Sequence, residues 1–198
     1  MTKTISDMAL SPNTCPWPTN DALMIEYHDK EWGVPLHDDQ KLFEFMLLDA
    51  FQAGLSWKTI LHRREGFRKA FAEFDPVKVA AFDEAKIEEL MQDTGIIRNQ
   101  SKIRSAVSNA QAFLNVQEEF GTFDKYIWQF TGGKSLVSDL TGLSTMQVST
   151  KESDDMSKDL KKRGFKFVGT TICYAFMQAA GMVNDHMVYC FRYKEFQK

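Results

Sequence analysis

From Asn99 to Phe120 the apolar residues recur at spacings of three and four, with Ile103, Val107, Ala110 and Leu114 along one line. That period belongs to an amphipathic α-helix and cannot serve a strand, whose faces alternate at every second residue. A run of this length commits the chain to a helical core, because its apolar stripe needs other helices along it. The rest of the sequence agrees. "DDQKLFEFMLLDAFQAG" offers Asp38 or Asp39 as a cap, is densely apolar until Gly54, and predicts a helix buried at the centre of the core. Further starts are marked by Ser56 before "WKTIL", by Asp75 ahead of Pro76, by Asp83 in a helix stopping at Gly95, and by Ser149 with Glu152 in capping-box spacing. "TFDKYIWQF" predicts a short aromatic helix, and most phenylalanines are assigned to the core. "TGGKSLVSDLTGLSTMQV", 131–148, has no clear period and is expected to be a loop crossing between two lobes. No segment alternates convincingly as a strand. The expected fold class is all-α, with residues 1–14 as a flexible N-terminal tail and 15–198 as one helical domain of two lobes.

Composition limits the function classes. With 43 % hydrophobic residues in 198, the chain can bury a core without disulfides, and three cysteines give no disulfide framework. A formal charge of -3 provides no general attraction to polyanions, so any nucleic-acid contact needs a local basic patch. "MTKTISDMALSP" lacks the apolar core of a signal peptide. "FVGTTICYAFMQAAGMV" is interrupted by threonines, Gln178 and glycines, and so predicts a buried helix rather than a membrane span. A cytoplasmic location is expected, with no membrane contact. No coiled-coil heptad is present, and no obligate protein partner is implied.

Two stretches carry chemistry. In "LKKRGFKFVGTTICYAFMQAAG", 160–181, a charged helix ends at Gly164, a tight turn follows, and Gly169 opens an apolar helix. Glycines let a backbone approach closely, and the free amides at a helix start suit a phosphate oxygen. With Lys161, Lys162, Arg163 and Lys166 around the turn, this is the layout of a helix-hairpin-helix that grips DNA by its backbone. A lysine-rich, solvated helix end has the same composition. The second stretch is "VNDHMVYC", which places His186 and Cys190 four apart, as on one face of a helix; Cys15 and His28 lie at the other end of the chain. Two nitrogen and two sulfur ligands make a tetrahedral zinc set, while lone core cysteines and histidines would also account for them. Cys173, within an apolar helix, suits a small buried hydrophobe, and His37 and His62 suit the surface or helix caps.

"CPW", "YHDKEWGVP", "LFEFMLLDAFQAGLSW", "REGFRKAF", "FDPVKVA", "GIIRNQSKI" and "LKKRGFKFVGTTICYAFMQAAGMVNDH" together resemble the 3-methyladenine DNA glycosylase I family, from about Cys15 to Tyr193. The resemblance implies a helix-hairpin-helix glycosylase fold, with one structural zinc on Cys15, His28, His186 and Cys190 joining the terminal segments. It implies a monofunctional enzyme that excises 3-methyladenine from alkylated double-stranded DNA as free base, leaving an abasic site. Its base-binding positions fall on Tyr27, Trp57 and Asp49, with Asp49 as the catalytic candidate; the backbone contacts expected of the hairpin itself are Lys162, Arg163, Gly164, Lys166 and Gly169. Two residues depart from the family: Asp49 stands where a glutamate is found, and Met24 where a pocket tyrosine is found. Asn184 takes the place where most of the superfamily has a catalytic aspartate, which the resembled family also lacks. Glu44, further up the same run, faces elsewhere. The alternative is a zinc-containing DNA-binding protein of the same fold whose altered pocket no longer excises.

Overall fold

In the computed structural model, which describes residues 13–196, the helices in chain order are α1 (Ala22–Lys30), α2 (Asp39–Gln52), α3 (Trp57–Leu61), α4 (Arg64–Ala70), α5 (Pro76–Ala80), α6 (Glu84–Leu90), α7 (Gln100–Phe120), α8 (Phe123–Trp128), α9 (Lys151–Lys162) and α10 (Thr170–Ala179). The predicted starts recur: Asp38, Ser56, Asp75, Asp83 and Asn99 each accept a first-turn amide, which satisfies donors that the helix itself leaves open. Helix α9 is an exception. Its reciprocal cap is Thr150 with Ser153, one residue on from the expected Ser149 and Glu152. Ser153 Oγ reaches back to the Thr150 amide at 2.8 Å, doing with a short side chain what a glutamate would do.

All residues of α2 from Leu42 to Phe51 are buried. One group of helices gathers on α7, which packs against α5, α6 and α8, and α9 pairs with α10. Helix α2 contacts both α7 and α10 and so joins the two groups. The expected stop of α6 at Gly95 comes earlier, at Leu90. Gly95 serves a close approach of two backbones instead, since its carbonyl lies against Gly66, where a Cβ would come within 2.3 Å.

The crossing segment 131–148 is more ordered than its sequence suggests. Leu136–Val137 (β1) pairs in parallel with Val183–Asn184 (β2), and Leu140 bridges Met187. Strands of two residues are too short to show alternation, so the pattern left no trace in the sequence. This pairing also corrects the expectation that 183–190 is helical: the segment is a strand followed by a turn, closed by the Cys190 amide donating to the Met187 carbonyl at 2.7 Å. At the other terminus the expected tail, 1–14, falls outside the described residues except for Asn13 and Thr14. These two are tied to the fold, with Asn13 accepting from the Phe191 amide at 2.9 Å and Thr14 buried. No described helix is long and apolar enough to cross a membrane.

Candidate active site and metal centre

The terminal segments meet at Cys15, His28 and Cys190, whose ligand atoms lie within 4.8 Å of one another, all buried. Cys190 Sγ stands 3.6 Å from His28 Nε2. His28 presents that nitrogen because its Nδ1 is held at 2.7 Å from the Asp29 carboxylate, which fixes the proton on Nδ1. His186, the fourth expected ligand, lies with its ring centroid 5.2 Å from that of His28. Its Nδ1 is 2.9 Å from Asn184 Oδ1, and Asn184 is oriented by donating to the Tyr193 carbonyl at 2.9 Å. The proton of His186 therefore sits on Nδ1, and Nε2 is buried without a hydrogen-bond partner. Burial lowers the His186 pKa to about 3, so the ring is neutral and its Nε2 lone pair is available. Gly33, at φ +77°, permits the approach: a Cβ there would fall 2.5 Å from His186 Cε1.

Two thiol sulfurs and the His28 nitrogen gathered in a buried cluster fit zinc, and the buried, unpartnered Nε2 of His186 beside them would complete a tetrahedral set with no position for a reacting water. An ion held there would be structural, tying Cys15 and, from α1, His28 to Cys190 beyond the last helix. The geometry also explains Asn184. At the position that the resemblance assigns to the superfamily's aspartate, its side chain orients the His186 ring instead.

The metal centre forms the back of a cleft. Trp17 lies 5.5 Å from the His28 ring and Trp32 lies 4.7 Å from the His186 ring, centroid to centroid. Both tryptophans, with Tyr27 and Trp57, line a cavity of about 140 Å³. Tyr27 and Trp57 sit 5.1 Å apart at 45°, and Trp17 meets Trp32 edge-on at 5.0 Å. Asp49 and Gln52 come into the same cavity from α2, Ala175, Gln178 and Ala179 from one face of α10, and Met146 from the crossing segment. The structure thus brings together the three expected base-binding residues. It adds Trp17 and Trp32, for which the only sequence signal was the placing of Trp17 two residues after a cysteine ligand and of Trp32 next to Gly33. Met24 is buried in α1 and is not among the residues lining this cavity.

Asp49 is buried and its Oδ2 has no hydrogen-bond partner. Burial alone raises its pKa well above the ordinary carboxylate value, which disfavours the charged form while no cation is near. Glu44 belongs to other surroundings. It accepts from Arg64 Nε at 2.6 Å and from Arg68 Nη2 at 3.0 Å, outside the aromatic cleft.

The basic turn is firmly set. Asn109, buried on α7, accepts from the Lys166 amide at 2.7 Å and donates to the Lys166 carbonyl at 3.0 Å. Gly164 takes φ +96°, and Gly169 caps α10 without a side chain over the first-turn amides. Lys162 and Lys166 are exposed. Arg163, expected beside them as a backbone contact, is instead directed into the protein. It donates to Glu119 at 2.6 Å and Asp159 at 2.7 Å, and its guanidinium lies 4.9 Å from the ring centroids of both Phe120 and Tyr126.

Residues 17–193 match the family model for methyladenine glycosylase. The chain is 53 % identical over 176 residues to DNA-3-methyladenine glycosylase 1 of Escherichia coli (strain K12), covering 89 % of this chain and 94 % of that protein. It is 46 % identical over 176 residues to the DNA-3-methyladenine glycosylase of Haemophilus influenzae, covering 89 % and 95 %. Among solved structures, a crystal structure of 3-methyladenine DNA glycosylase I superposes with a TM-score of 0.87 at 50 % identity, over 90 % of this chain and 98 % of that one. A tyrosine-to-phenylalanine variant of 3-methyladenine DNA glycosylase I, in complex with 3-methyladenine, superposes at 0.89 with 34 % identity, over 91 % and 97 %. The chain belongs to the methyladenine glycosylase family. Within this glycosylase the matched span includes His28, His186 and Cys190 but begins after Cys15, so the first sulfur of the cluster is placed by the structure.

Proposed function

We propose that this glycosylase hydrolyses the N-glycosidic bond of 3-methyladenine in alkylated duplex DNA, releasing the free base and leaving an abasic site for base excision repair. The observation that carries the reading is a buried, unpartnered Asp49 carboxyl inside a cleft walled by four aromatic rings. A base reaches such a cleft only by leaving the duplex stack. While attached to the sugar the methylated purine is cationic, so electron-rich ring faces favour it over adenine. Its positive charge also lowers the pKa of Asp49, and the resulting carboxylate holds the base by charge-assisted hydrogen bonds. The bond from C1′ to the base nitrogen then breaks with its electron pair on the base, which leaves neutral. Water adds to C1′ and gives up a proton.

Because methylation already makes the base a good leaving group, orientation and electrostatics supply the protein's share of the rate. Strand cleavage through an amine nucleophile has no support in the cleft, whose lining contains no lysine among the described residues. The buried Lys102 lies against the end of α2 outside that lining, where its ammonium donates to the carbonyls of Phe51 and Ala53 at 2.8 and 2.6 Å. The amides of the 160–181 hairpin, with Lys162 and Lys166, support DNA held by its backbone, without base reading at the hairpin. A cytoplasmic location belongs to the same proposal.

The test is incubation with methylated duplex DNA and chromatographic identification of released bases. Release of 3-methyladenine without 7-methylguanine and without strand cleavage is expected. A folded, zinc-loaded sample that binds the DNA but releases nothing would favour the non-excising binder and make Asp49→Glu the variant to examine.

A further inference from the structure

We infer that Gln178 is a specificity-determining residue, reading the exocyclic group of the extruded base as a fixed hydrogen-bond acceptor, and that Asp185 is the positioning residue that holds it so. The inference rests on the glycosylase reading and concerns which methylated purine is preferred.

Gln178 lines the aromatic cleft from the last turn of α10. An amide can present either its oxygen or its NH2 group, and rotation by half a turn exchanges them. Here the choice is made by Asp185, a carboxylate buried behind the cleft at 1 % exposure. Its Oδ2 accepts from Gln178 Nε2 at 2.7 Å and from the Tyr174 hydroxyl at 2.8 Å. A carboxylate offers only acceptors, so Nε2 is the end turned toward it and Oε1 is the end left for a ligand. The backbone is anchored as well, because the Gln178 carbonyl accepts from the Gly33 amide at 3.0 Å.

Asp49 lies in the same cavity with an unpartnered oxygen of its own. Once ionised it too is acceptor-only. Two acceptors on different helices suit an exocyclic amine, which 3-methyladenine carries, and oppose the O6 carbonyl that 3-methylguanine carries at the corresponding position. Discrimination of this kind arises because a mismatched polar group is left buried and unpaired.

The test measures single-turnover release of 3-methyladenine and 3-methylguanine from the same methylated duplex, by the full-length zinc-loaded protein. Gln178→Met keeps the volume and removes the acceptor; it is expected to lower the 3-methyladenine to 3-methylguanine rate ratio about tenfold. Asp185→Leu should lower it similarly by freeing the amide, and the double variant should fall no further than either single one. Asp185→Asn brings an amide that can face Gln178 with either end, and should give a ratio between those of the wild type and Asp185→Leu. Zinc content and melting temperature, measured alongside, separate a collapsed metal centre from a reoriented amide. An unchanged ratio in Gln178→Met overturns the inference, as does an additive double variant. A wild-type protein that releases neither base overturns the glycosylase reading, and this inference with it.

Discussion

Glu44 and Asp49 are acids on the same helix, little more than a turn apart and both buried, but they have been treated in opposite ways by the fold. Glu44 meets two arginines, and Arg64 extends the network by donating to both oxygens of Glu31 at 2.8 Å. Asp49 faces an aromatic cavity, and one of its oxygens has no partner at all. A charge compensated inside the protein has nothing left to offer a ligand, whereas an uncompensated one persists only at a cost in stability. Burial therefore does not identify the functional acid on α2; the missing partner does.

The sharpest way to break this comparison is Asp49→Ala. Loss of the group that meets the cationic base is expected to slow single-turnover excision by roughly 10²–10³-fold. The fold should not suffer, since the substitution removes a desolvated carboxyl. An excision rate within twofold of wild type would remove Asp49 from the mechanism. Glu44→Ala should do the reverse. Leaving Arg64 and Arg68 without their shared acceptor costs about 3 kcal/mol of stability, measurable by urea denaturation. The rate per folded molecule should stay near wild type, and a specific loss of rate would bring Glu44 into the site.

A smaller effect is expected from pH. Burial raises the Asp49 pKa in the folded state above its ordinary value of 3.8. The stability associated with its neutral form is thus complete below about pH 3.8 and is lost as pH rises through the folded pKa. Asp49→Asn cannot ionise, so its melting temperature should gain on wild type with rising pH and level off above that folded pKa. Excision has the opposite slope, because only the carboxylate holds the cation well: wild-type rate should rise over the same range and the asparagine variant should lack that limb. A wild-type excision limb that persists in the variant would assign the titration to another group.

The distinction was partly legible in the sequence. The caps of α2, α3, α5, α6 and α7 and the glycines of the hairpin are local signals, each satisfied within a few residues of itself, and they could be read directly. The spacing of His186 and Cys190 pointed toward a metal but for the wrong reason, since those residues lie in irregular backbone and at a bend after β2 rather than on a helix face. Trp17, Trp32 and Gln178 could not be found that way. They enter the cleft from three separate segments, and what selects them is contact with the metal ligands or with Asp185, which no periodicity encodes. Nor could the sequence tell which of the clustered cations around the turn was already paired.

The smallest expected effect applies the same comparison to those cations. Arg163 is to the hairpin what Glu44 is to α2: its guanidinium is held by Glu119 and Asp159 and stacked over two rings. Lys162 and Lys166 are exposed and form no ion pair among the described residues, so they remain available to phosphate oxygens. Each phosphate contact releases counterions, so Lys162→Ala and Lys166→Ala should each weaken duplex binding several-fold and reduce the slope of log affinity against log salt by about one. Arg163→Ala should leave that slope unchanged and lower the melting temperature slightly. Fluorescence anisotropy titrations at several salt concentrations separate the two cases. If Arg163→Ala flattens the slope as the lysine variants do, the guanidinium exchanges its carboxylate partners for phosphate when DNA binds, and pairing in the free protein no longer predicts which charges hold the structure and which meet the ligand.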